Sequence, residues 1–170
     1  DPDGKGRVQA AVPQVGHGTV APDVWIYPAF SGAGLQRGMF WPPEVGDTVY
    51  VTFALGNPSY PSHYFGGWYG APNGTSDVPT ELQPASAAAP DLRGFVTRMG
   101  HQLIFSDRAG EEAVEIVWHQ VAPGDAAISD ASQTADRAGG KTASLKFSKN
   151  GDITITDAES QVIELSALAK

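Results

Sequence analysis

Pro43-Glu44-Val45-Gly46-Asp47-Thr48-Val49-Tyr50-Val51-Thr52-Phe53-Ala54-Leu55-Gly56-Asn57-Pro58-Ser59-Tyr60-Pro61 reads as a strand with a turn at each end. Val49, Val51, Phe53 and Leu55 recur at period two and so share one face. Gly46-Asp47 precedes them as a turn, and Gly56-Asn57-Pro58 follows as another. Outward from this stretch the same texture continues. Gly6 to Val15 alternates with Val8, Ala10 and Val12 on one side and breaks at Pro13, which suits an edge strand or a strand end. Val24-Trp25-Ile26-Tyr27 is a second short strand, ended by Pro28. Ser62 to Tyr69 is a fourth, where Gly66-Gly67 marks a bulge or a sharp corner. Short strands with long irregular connections predict a small Greek-key barrel, with a compact sandwich as its rival.

The bulk numbers agree with a β reading. The 170 residues hold 20 Gly and 13 Pro against 18% charged residues, and no long stretch shows apolar spacing at three and four residues. That length suits one ordinary domain or a small domain with an extension. The net charge of −8 is spread evenly: residues 1–90 carry three basic and seven acidic side chains, and residues 91–170 carry eight and twelve, so each half comes to −4. A protein that grips phosphates needs clustered Lys and Arg, so nucleic acid is not an expected partner. Cysteine is absent, which removes disulfides, thiolate metal sites and thiol nucleophiles together and leaves the compartment open. No apolar run approaches the ~18 residues of a membrane span. The first residues show no basic-then-apolar leader pattern, and a start at Asp1 rather than Met suggests trimming of upstream sequence.

Gly70 to Asp91 lacks periodicity and is rich in Pro, Ala, Ser, Asn and Thr, so residues 71–91 are expected to be a linker. Beyond it the pattern changes. Gly94 to Arg98, Gln102 to Ser106, Ala113 to Trp118, Ser144 to Ser148, Ile153 to Thr156 and Val162 to Leu165 read as strands, with a low-order stretch at about 122–141. Leu103-Ile104-Phe105-Ser106 and Leu145-Lys146-Phe147-Ser148 form a weak two-copy repeat, each copy followed by a glycine-containing turn. Such hairpins offer a thin apolar stripe without a second layer, and isolated hairpins are marginal in water. Residues 92–170 are therefore expected to bury that stripe against copies of the same chain.

No catalytic constellation emerges. His17, His63, His101 and His119 are scattered without ligand spacing, no nucleophile elbow occurs, and Glu111-Glu112 reads as solvated charge in a turn. Ser31 to Gly38 is glycine-rich but lacks the spacing of a phosphate cradle, and Asn73-Gly74-Thr75 is a chance-level glycosylation match. Aromatic residues crowd into positions 25–69 and are weighed as core or interface fillers ahead of a ligand platform. No enzyme activity, cofactor or metal is expected.

Residues 1–70 resemble the oligonucleotide/oligosaccharide-binding (OB) barrel of the central hub and spike proteins of contractile phage tails and of related type VI secretion and injection machines. The likeness rests on Asp1-Pro2 with Gly6-Arg7-Val8, on the Trp25 strand, on Pro43, Val45, Gly46, Asp47, Val49, Val51 and Phe53, on Gly56, Pro58 and Pro61, and on Gly66 before an aromatic pair. The resemblance implies an all-β protein with an N-terminal OB-like Greek-key barrel (1–70) and a short intertwined trimeric β-prism or β-helix stalk (92–170). The stalk's trimer core would be Leu103, Phe105, Leu145, Phe147, Ile153, Ile155, Ile163 and Leu165. It further implies a homotrimer in a virion tail baseplate or an extracellular injection particle, seated on hub-ring and tube proteins. A separate spike-tip protein and transient contact with the host envelope also belong to that expectation. The alternatives are an OB-fold nucleic-acid-binding protein and a secreted carbohydrate-binding module.

Overall fold

The computed structural model describes residues 1–13, 24–57, 59–83, 90–120 and 141–166, and within them the chain is all-β with no α-helix. It divides into two units, Asp1–Tyr69 and Gly70–Lys170.

The first unit holds three short strands, β1 (Tyr27–Pro28), β2 (Tyr50–Phe53) and β3 (Pro61–Phe65). They form one sheet in the order β1-β3-β2, with β1 parallel and β2 antiparallel to β3. An isolated bridge joins Val8 to Ile26 and extends the sheet beyond β1. Among the described residues of this unit, Ile26 and Tyr64 are the fully buried side chains. The Tyr64 ring meets Phe30 edge-on, Phe30 meets Phe40 likewise, and the Tyr64 hydroxyl donates to the Gly6 carbonyl at 2.5 Å. Burial of that phenol pushes its pKa up. The ladder is shorter than the alternation suggests. Thr48 to Leu55 contracts to Tyr50–Phe53 because the register slips between Thr52 and Phe53, and a 3-10 turn follows at Ala54–Gly56. Leu55 therefore leaves the apolar row: it takes φ +52° and is fully exposed at the turn. β1 ends with Pro28 as its last residue, and β3 stops before Gly66, which adopts φ +55°. The expected strand over Gly6 to Val15 is represented by the Val8 bridge, and residues 14–23 lie outside the described ones.

The second unit opens with irregular chain and 3-10 turns at Pro72–Gly74 and Thr80–Leu82. Six strands follow: β4 (Leu92–Val96), β5 (Gln102–Ser106), β6 (Ala113–Gln120), β7 (Lys141–Ser148), β8 (Ile153–Thr156) and β9 (Val162–Leu165). They pair in sequence order as one antiparallel meander. The expected separate hairpins are thus joined into a single sheet, because β6 and β7 pair along all eight residues. The segment expected to be low-order at about 122–141 lies outside the described residues up to 140, and Lys141 begins β7. Three hairpin turns share one design. Gly100, Gly151 and Ser160 each take positive φ at the fourth position, after Thr97, Ser148 and Asp157. At Ser160, where glycine is absent, Asp157 Oδ1 accepts the Glu159 and Gln161 amides and holds the turn.

Candidate functional site

Paired residues of an antiparallel ladder point to the same side, so register assigns the faces of the six-stranded sheet. One row reads Arg93, Phe105, Val114, Phe147, Ile153, Leu165 across the strands, and the next reads Phe95, Leu103, Ile116, Leu145, Ile155, Ile163. Trp118 continues the same face and stacks on His101. The opposite face is mixed, with Glu115 facing Lys146 and Thr154 facing Glu164. The two copies of the sequence repeat flank β6 in equal register: Leu103 and Leu145 on either side of Ile116, Phe105 and Phe147 on either side of Val114.

All eight residues expected to form a trimer core, Leu103, Phe105, Leu145, Phe147, Ile153, Ile155, Ile163 and Leu165, lie on this apolar face. The structure adds Phe95, Val114, Ile116 and Trp118 to them. The signal for three of those was present in the alternation of Val114, Ile116 and Trp118, and Phe95 is placed by its pairing with Leu103. Within the single chain the face stays open: Ile116 is 49% exposed, Trp118 47%, Ile163 62% and Leu165 58%. Soluble proteins rarely leave contiguous apolar patches of this extent uncovered.

Ion pairs cluster at the turn end of β4 and β5. Arg108 Nε donates to Asp91 Oδ2 at 2.9 Å and its Nη1 to Glu111 at 3.2 Å, and Arg93 pairs with Asp107. The hydrogen bond from Arg108 holds the Asp91 carboxyl below its usual range, and Asp91 in turn raises Arg108. At the other end His119 is buried; its amide donates to His101 Nδ1 at 3.1 Å, and its own Nδ1 lies 3.1 Å from the Met99 carbonyl. Among the described residues no group of three His, Asp or Glu is placed to hold a metal ion. No helix there is long and apolar enough to cross a membrane.

In the first unit the motif residues have separate structural duties. The Asp1 carboxylate accepts the amides of Asp3, Lys5 and Arg7 and the Nε and Nη2 of Arg7, closing the N-terminal loop into a knot. The Arg7 guanidinium also lies over the rings of Trp25 (5.2 Å) and Tyr27 (5.7 Å). Val8 bridges Ile26. Gly6 has φ +69°, and a Cβ there would come within 2.7 Å of the Phe40 ring. Pro43 leads into the Glu44–Asp47 turn, which contains Val45 and where Asp47 Oδ2 accepts the Glu44 amide and Gly46 takes φ +99°. Val49, Val51 and Phe53 are half-buried, as are Pro61 and Trp25, whereas Gly56 and Gly66 supply positive φ at the two ends of the hairpin region. Pro58 lies outside the described residues.

Residues 1–69 match the family model of the type VI secretion system/phage-baseplate injector OB domain. This is the family that the motifs of those residues resemble, and the match ends at Tyr69, where the first unit ends. A comparison with curated proteins finds no match.

Proposed function

We propose that the protein is a structural component of a phage baseplate or a phage-like injection machine, acting as a trimeric central hub or spike adaptor. In this role it closes the tail tube and transmits force during envelope penetration, without chemistry of its own. The observation that carries the reading is the half-exposed apolar face of the meander, in a chain whose first 69 residues match an injector OB domain. Eight large side chains of that face are 40 to 62% exposed, which leaves on the order of 700 Å² of apolar area uncovered. At about 25 cal/mol per Å² its burial provides on the order of 15 kcal/mol per subunit before the entropy losses of association. That area also approaches the ~800 Å² per partner of a standard protein interface. Three copies supply each other's missing layer, and an assembly held by such a face is effectively permanent.

The partners follow from the role: the chain itself as a homotrimer, hub-ring and tube proteins, and a separate tip protein at the far end of the stalk. The location is a virion tail or an extracellular injection particle. Native mass by light scattering tests the reading, with three copies expected and a well-folded monomer contradicting it.

A further inference from the structure

Strand β6 runs on past β5. Gln102, the first residue of β5, pairs with Val117, so the next amide of β6 on that side, that of His119, lies beyond the end of the partner strand. A side chain takes the vacant rung: the His119 amide donates to Nδ1 of His101 at 3.1 Å. The turn between β4 and β5 aims His101 there. Its amide donates to Thr97 Oγ1 at 3.0 Å, its carbonyl accepts the Thr97 amide at 2.9 Å, and Gly100 supplies φ +85° just before it. The His101 ring also stacks on Trp118, with centroids 6.5 Å apart and planes 19° from parallel.

We propose that His101 is an acid-released latch joining the β4–β5 turn to β6. An imidazole accepts through Nδ1 only while that nitrogen carries no proton, so the contact exists in the neutral ring alone. Uptake of a proton sets N–H against N–H and leaves the His119 amide without its acceptor. The neighbouring histidine contact is indifferent to this change. His119 Nδ1 lies 3.1 Å from the Met99 carbonyl, which can only accept, so that nitrogen carries a proton in both ionisation states. The charged groups of the surrounding elements are Arg98 on the same turn, Glu81 on the 3-10 turn beside β4, and Lys141, opposite Gln120 and paired with Glu159. Among the described residues none of them touches the His101 ring, whose contacts are Trp118 and the His119 amide, so no carboxylate holds its cation in place. The latch is therefore closed with the ring neutral and opens as pH falls through the range in which imidazoles ionise, about 5 to 8. It belongs to the fold of the second unit and operates whether or not copies of the chain cover the apolar face.

Amide hydrogen exchange of the full chain, followed by NMR from about pH 8 to about pH 5 and corrected for the intrinsic rate, tests this. Protection of the His119 amide should fall about tenfold across that range, while amides in the middle of the β5–β6 ladder keep theirs. His101→Asn, whose Oδ1 can accept in place of Nδ1 and does not ionise, should retain the protection and lose its pH dependence. His101→Phe keeps a ring against Trp118 but offers no acceptor, and should lower the protection equally at every pH. Imidazole nitrogen shifts should place the proton of neutral His101 on Nε2. A proton on Nδ1 of the neutral ring overturns the proposal. So does His119 protection that is the same at both ends of the range, and so does a pH dependence that survives in His101→Asn.

Discussion

Gly94 faces Ile104 where β4 and β5 approach each other, and a Cβ built on it would stand 2.2 Å from the Leu103 carbonyl oxygen. The obstacle is backbone, so relief requires the edge strand to move away from its partner. Gly94→Ala should destabilise the second unit by about 1–3 kcal/mol in urea unfolding, with the first unit's spectral signal unchanged. Asp91 makes a second prediction at this scale. Its folded pKa is depressed by the hydrogen bond from Arg108, so its contribution to stability is complete above the unfolded value of about 4 and is lost as pH falls through the folded one. Asp91→Asn should flatten the acid limb of stability below about pH 4 and leave the neutral-to-alkaline range parallel to the parent. A parent and variant with identical acid limbs would show that the pair contributes nothing to folding.

At the scale of elements, the apolar face of the meander is half-open within one chain, so the proposed assembly can be tested separately from folding. Ile155, on β8, pairs with Leu145 and Ile163 on that face and is 44% exposed. Ile155→Glu should therefore keep the β-sheet spectrum of the single chain while reducing the native mass from three copies to one. Three of the six strands here, Gln102–Ser106, Ile153–Thr156 and Val162–Leu165, are legible in the sequence to the residue, because period-two alternation ends at turn residues on both sides. Pairing of β6 with β7 was not legible: the strands are separated by twenty residues, and periodicity carries no information about which partner a strand takes. The first unit shows the opposite balance. Its turns at Gly46 and Gly56 were plain, but the alternation through Leu55 was misleading, since the slip after Thr52 turns Leu55 out to solvent. The aromatic crowding of residues 25–69 was visible as composition. Only strand register shows that Ile26 and Tyr64 make the core while Tyr27, Tyr50 and Phe65 face outward.

For the whole molecule, two very different surfaces follow from one chain. Among the described residues, the first unit buries Ile26 and Tyr64 completely, and it carries a carboxylate knot at Asp1 and several positive-φ glycines. The second presents a half-exposed apolar sheet face, and the repeat of Leu-x-Phe-Ser on both sides of β6 makes that face uniform across its centre. An open apolar sheet face in a chain whose first 69 residues match an injector OB domain is what the proposed self-association rests on. Multi-angle light scattering of the purified chain, followed down to nanomolar dilution and repeated in mild detergent, tests this most directly. Three copies of the 17.8 kDa chain, about 53 kDa in all, should persist throughout. A cooperative, well-folded species of 17.8 kDa would contradict the account.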